Sequence, residues 1–310
     1  MKLFKFFKTA PLLLLFVITV NGIAQDAKDS STDYTPISKK RGFRLGGYIG
    51  SYFANQYTAG IYDGRGFDID GNVNNFDNSF MNQKINMQYG GKGYPGQIDQ
   101  IGQVLNVDPA GQPWTFGESD MPQNMRYSPA FLVGLNCIYS VDKNNGILFN
   151  LNAAKLTITG NFTIMKPPTA GSTQINDRIQ TFSITGGEQR LQFQFGYQRI
   201  LGDNEKMNFF VEGGLMATIA EFSKNDIMIN TLKIDLTSYY NSTLYSGAYL
   251  FKKPIGTGFG AFAGVGTNIT INPKYTIQIL YNPTLEKIKI GQNPTLKLQH
   301  AIGLRAYYNF

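Results

Sequence analysis

From residue 42 to its end the chain alternates apolar and polar side chains in stretch after stretch, and nowhere in that length is there a run of about 18 apolar residues. Such a chain can cross a membrane only with strands. Lipid satisfies no backbone hydrogen bonds, so those strands must close on one another. The pattern is clearest over 296–310, where Leu296, Leu298, His300, Ile302, Leu304, Ala306, Tyr308 and Phe310 fall on one face. Lys297, Gln299, Ala301, Gly303, Arg305, Tyr307 and Asn309 fall on the other. A water-soluble sheet would turn the apolar face inward. A strand of membrane-spanning length ending on an aromatic residue predicts the reverse, with the apolar face on lipid and the polar face in the lumen.

Seven further stretches repeat the alternation, at 42–54, 127–140, from 147 onward, 189–201, 207–220, 257–271 and 275–282. In the third the phase slips near Lys155, which predicts a bulge. Asp142-Lys-Asn-Asn-Gly146, Gly202-Asp-Asn-Glu-Lys206 and Asn272-Pro-Lys274 are tight-turn sequences. The alternate connections are long, at 56–126, 165–188 and 221–256, with a moderate one at 283–295. Together these predict an all-β fold, an antiparallel up-and-down transmembrane β-barrel of eight strands with long extracellular loops, short periplasmic turns and both ends of the barrel domain in the periplasm.

Three domains follow from this reading. Residues 1–24 read as a signal peptide, with Lys2, Lys5 and Lys8 ahead of an apolar core at 11–20 and Gly22-Ile-Ala24 before Gln25. Residues 25–41 are polar and read as a flexible periplasmic tail, and 42–310 form the barrel. Glycine is abundant at 34 residues and aromatics reach 14%, which suits curved strands and interfacial girdles. Without the three leader lysines the chain carries 25 basic and 21 acidic residues, a net charge of +4 that is too mild to argue for nucleic acid. The single Cys137 has no partner for an internal disulfide.

The inward faces gather Arg44, Asn136, Asn150, Asn152, Gln192, Gln194, Gln198, Glu212, Asn268, Gln278, Gln299 and Arg305. An eight-stranded barrel is only wide enough to be filled by side chains, so these predict a hydrogen-bonded interior network with Glu212 balanced by Arg305 or Arg44. His300, the one histidine, falls on the outward face about 25 Å above the chain end, at the outer interface. With no second histidine, no catalytic residues are assigned and the chain is expected not to be an enzyme. No cofactor is expected. Asp68, Asp70 and Asn72 open like a calcium loop but lack the distal acidic ligand, which makes them at most a weak calcium candidate. The first loop is longer than a connector requires. Its Trp114 and Phe116, with Tyr239, Tyr240, Tyr245 and Tyr249 of the third, are candidates for partner contact or for folding over the barrel mouth.

The leader ending at Ala24-Gln25, the glycine-rich strand Phe209-Phe-Val-Glu-Gly-Gly-Leu-Met-Ala217 and the close Gly303-Leu-Arg-Ala-Tyr-Tyr-Asn-Phe310 resemble the PorT-like outer-membrane β-barrel proteins of Bacteroidota, small barrels of the OmpA and OmpX type. The resemblance spans 42–310. It implies placement in the outer membrane of a Gram-negative cell, contact with its lipid, and non-enzymatic work as a partner-binding or accessory subunit of a cell-envelope assembly, the type IX protein-secretion machinery included. It supplies no catalytic residue. The alternative is a channel or transporter for small solutes.

Overall fold

The computed structural model describes residues 42–67, 72–168, 178–202, 204, 206–237, 255–290 and 295–310. The leader and the tail lie outside the described residues. β1 (Gly42–Phe53) pairs with β3 (Ala130–Ser140) on one side and β10 (Lys297–Asn309) on the other. From β3 the sheet runs through β4 (Asn145–Met165), β5 (Ile179–Leu201), β6 (Met207–Ile229), β8 (Ile255–Asn272) and β9 (Tyr275–Lys289) back to β10. Every pairing is antiparallel, so eight described strands close a ring without an edge. Two short strands sit outside it: β2 (Arg126–Tyr127) pairs with β4, and β7 (Leu232–Asp235) folds back on β6 as a hairpin. The β3–β4 turn is held by Asp142, whose Oδ1 accepts from the backbone N–H of Asn144 at 2.8 Å and of Asn145 at 2.9 Å.

The outer surface of the lower barrel is apolar, with Leu45, Phe131, Phe195, Phe209, Leu215, Phe259 and Ile302 all more than half exposed. On the inner face Asn136, Asn150, Gln194, Gln278 and Arg305 are buried. The pattern inverts at one registered row, Lys155 opposite Gln189 and Gln189 opposite Glu221. Above it the outward residues of β4 are Thr157, Thr159, Asn161 and Thr163, and the inward ones are Leu156, Ile158, Phe162 and Ile164.

The bulge expected near Lys155 is absent, because β4 and β5 stay in unbroken register from Asn145 opposite Arg199 to Met165 opposite Ile179. What changes at Lys155 is the surroundings: the strand leaves lipid for water, and the face that was polar now meets a packed core. The register shift lies instead on β5 and β6, between Gly187 and Glu188. Gly186 beside it has no Cβ, and one placed there would lie 2.5 Å from the Tyr62 ring, so the glycine marks a close approach within a strand. β5 therefore begins at Ile179, β6 continues to Ile229 and β9 to Lys289, each well past the expected stretches 189–201, 207–220 and 275–282.

The long connection from β1 to β2 fills the mouth of this raised wall. It carries a 3-10 turn Gln56–Tyr62, a helical turn Phe80–Asn82 running into Gln83–Tyr89, and a helix Gln100–Leu105. Asn55, Ser79 and Asp99 cap their starts by accepting from the N–H groups of Tyr57, Asn82 and Gly102. Tyr62, Met81, Ile85, Ile101, Leu105, Trp114 and Phe116 are buried in one core with Leu156, Ile158, Phe162, Ile184, Phe222, Ile227 and Ile234 of the wall. The loop is thus a plug built into the barrel.

Candidate functional site

The feature that decides what this barrel can do is its lumen, which holds two stacked layers of charge beneath the plug. In the layer nearer the tight turns Arg305 grips Glu212 with both ends of its guanidinium, Nη1 to Oε2 at 2.7 Å and Nη2 to Oε1 at 2.8 Å. Gln198 donates to Glu212 Oε2 at 3.1 Å, and Arg44 reaches Gln198 at 3.4 Å. Gln278 donates to Asn268 at 2.6 Å, while Asn150 lies 2.6 Å from Asn136 and 3.0 Å from Gln194. Gly264 makes the seat for the ion pair, since a Cβ there would lie 2.6 Å from Glu212 Cγ. Against this layer Ile138, Leu148, Met216, Phe262 and Tyr307 form a small apolar cluster inside the barrel.

The second layer lies at the row where the outer surface turns polar. Arg190, fully buried, donates from Nε to Glu188 Oε1 at 2.5 Å, from Nη1 to the Tyr52 hydroxyl at 2.9 Å and to Gln299, and from Nη2 to the Tyr127 hydroxyl at 3.2 Å. Tyr127 and Tyr62 donate in turn to Glu188 Oε2 at 2.7 and 3.2 Å. Glu286 accepts from Thr218 at 2.6 Å, from Tyr52 at 3.2 Å and from Gln299. Both of its oxygens thereby accept hydrogen bonds. Through Tyr62 and Thr58, which receives Arg190 Nη2 at 3.3 Å, the plug is hydrogen-bonded to this layer. The two layers balance, with Arg44, Arg190 and Arg305 set against Glu188, Glu212 and Glu286. Between them, beside Tyr48, Gln192, Asn282 and Arg305, is a cavity of about 10 Å³, room for about one water.

The structure therefore brings Arg44, Asn136, Asn150, Gln192, Gln194, Glu212, Gln278, Gln299 and Arg305 together inside one barrel, with Arg305 as the direct partner of Glu212. The sequence reading missed Glu188, Arg190 and Glu286, the charged heart of the upper layer. The signal was present: counting in twos from Gln194 and Gln192 reaches Arg190 and Glu188, and from Gln278 it reaches Glu286. The expected connections at 165–188 and 283–295 left Glu188 and Glu286 outside the strands.

Trp114 and Phe116 are not surface anchors. They are 1% and 5% exposed, with Trp114 Nε1 donating to Asp99 at 2.8 Å and Phe116 edge-on to Phe162. Tyr239, Tyr240, Tyr245 and Tyr249 lie outside the described residues, as do Asp68 and Asp70 of the calcium candidate, while Asn72 is exposed. Among the described residues no group of three His, Cys, Asp or Glu could hold a metal ion. Within the plug, burial pushes the Asp63 carboxyl up to about 6 against the opposing pull of Arg65, whose N–H it accepts at 2.8 Å. His300 faces outward, stacked on Tyr281 with its Nδ1 2.5 Å from the tyrosine hydroxyl. It pairs across to Pro283, one step nearer the tight turns than the Leu298 and Leu285 pair at the top of the apolar band.

A closed, even-stranded barrel with an apolar exterior, a polar lumen and a water-facing wall above it is a transmembrane β-barrel of the outer-membrane type. The chain is an outer-membrane β-barrel in contact with lipid. No family model matches it, and no curated protein matches it in sequence. Solved structures similar to it include Ail, the attachment invasion locus protein of Yersinia pestis, 11% identical over 87% of this chain and 100% of that one with a TM-score of 0.33. OprG of Pseudomonas aeruginosa is 10% identical over 88% of this chain and 97% of that one, with a TM-score of 0.37. The N-terminal barrel domain of OprF from the same organism is 11% identical over 60% and 91%, with a TM-score of 0.25. Likenesses this distant add nothing to what the strand pairing establishes.

Proposed function

We propose that this protein is a sealed, non-enzymatic outer-membrane barrel that presents a rigid extracellular head to a protein partner, as an accessory subunit of a cell-envelope assembly of the protein-secretion kind. The observation that carries the proposal is the plug. A channel needs a continuous polar path, whereas here two charged layers and an apolar core lie in series across the lumen. A loop that only closed the mouth would not need three capped helical segments and a core shared with four strands. The head also displays apolar side chains to solvent on one turn, Met87 at 44%, Tyr94 at 78% and Ile98 at 62%. Gly93 N–H donating to Met87 O and Gln97 N–H donating to Tyr94 O hold that turn in shape. Large exposed apolar groups on a rigid loop are the usual form of a protein contact.

The test is a cross-linked detergent pull-down from the native outer membrane, comparing wild type with a Tyr94→Ser/Ile98→Ser double variant. A discrete envelope protein should be recovered with the wild type and be depleted at least tenfold with the variant, whose barrel stays folded. Equal recovery by both would sink the proposed contact surface, and recovery of a partner by neither would sink the partner-binding function.

A further inference from the structure

We infer that the outward face of β8, β9 and β10, at its extracellular edge, is a binding site for the phosphate groups of an outer-leaflet lipid. Read upward, the outward residues of β9 are Tyr275, Ile277, Ile279, Tyr281, Pro283 and Leu285, and then the sequence switches to Lys287 and Lys289, both exposed. Ten residues from Tyr275 to Leu285, at about 3.3 Å each and a tilt near 40°, rise about 25 Å, the height of a lipid-facing band. The two ammonium groups therefore stand at headgroup depth, with their methylene stems beside lipid-facing side chains. The register supplies those neighbours: Phe259 lies opposite Lys287 and Thr257 opposite Lys289 on β8, and Leu298 lies opposite Leu285 on β10. Phe259 is 70% exposed and Leu298 46%, so exposed apolar surface runs down from the lysine pair.

Elsewhere on the raised wall Lys224 and Lys233 lie 3.9 and 3.1 Å from Asp226. Lys287 and Lys289 make no ion pair among the described residues, and the one carboxylate nearby in sequence, Glu286, points into the lumen. Two cations with no ion pair among the described residues, above exposed apolar surface, complement a molecule with phosphates at its head and acyl chains below, which is a phosphorylated lipid.

This inference rests on the proposed orientation, with the head outside the cell. Binding is read by native mass spectrometry of the full-length barrel in zwitterionic detergent, titrated with bis-phosphorylated lipid A or its dephosphorylated form. The phosphorylated lipid should bind preferentially and resist excess inorganic phosphate. The Lys287→Gln/Lys289→Gln variant should bind it about 30-fold more weakly, from the few-fold contribution of each lysine near an anionic surface, and Lys155→Gln should bind it like wild type. Equal binding of the two lipids, displacement by inorganic phosphate, or wild-type affinity in the double variant would overturn the site. Surface biotinylation of intact cells at a cysteine introduced in place of Tyr94 reads the orientation separately, so a head facing the periplasm would be recognised as failure of that premise alone.

Discussion

Replacing Arg190 with methionine should destabilise the barrel by about 3–5 kcal/mol, the usual cost of leaving a buried charge without its partner. The guanidinium is fully buried and its donors are shared among Glu188, Tyr52, Tyr127, Gln299 and Thr58. Methionine matches the volume but leaves Glu188 and Glu286 inside the barrel with no counter-charge in their layer. Urea unfolding of refolded protein in phospholipid vesicles, followed by the circular dichroism of the strands, measures the loss. The Glu188→Gln/Arg190→Met double variant should recover part of it, since the stranded charge is then removed along with its partner. A single variant within about 1 kcal/mol of wild type would mean that the upper layer is hydrated well enough to hold its charges separately.

Truncating Trp114 to alanine should cost about 3–5 kcal/mol, the range for emptying a large aromatic site in a packed core, and the loss should fall on the head alone. The indole is 1% exposed, donates to Asp99 at 2.8 Å and is covered by Lys92, whose Nζ lies 4.5 Å from the ring centroid. Asp99 also caps the Gln100–Leu105 helix, so the truncation loosens both the core and that helix start. None of these groups touches the ring of eight strands below the Lys155 row. Limited proteolysis should therefore cut the variant between residues 72 and 125 while the strands stay protected. Cleavage rates equal to wild type would show that the head is held by the wall rather than by its own core.

The lower barrel was legible in the sequence because lipid imposes a strict parity. From Phe43 to Phe53 and from Leu298 to Phe310 every second residue faces outward, apolar apart from Ser51 and His300, and the remainder defined the lumen. The same logic paired Glu212 with an interior arginine. Where the strands leave the membrane the rule inverts, and Leu156, Ile158 and Phe162 read as a phase slip although the backbone continues unchanged. Gly186-Gly187 and Pro283 normally end strands, yet here they mark a close approach, a register shift and an outward lipid-facing position. The burial of Trp114 could not be read locally at all. It depends on contacts between a loop at 80–116 and strands at 156–236, and no spacing along the chain encodes them.

The most direct measurement is planar-bilayer recording of the purified full-length barrel at neutral pH. A lumen closed by the Arg305–Glu212 layer, the Arg190–Glu188–Glu286 layer and the plug predicts no steady conductance above that of the lipid alone. A sizeable, stable unitary conductance from protein whose plug remains protease-resistant would contradict the sealed barrel and make a solute channel the better reading of this fold.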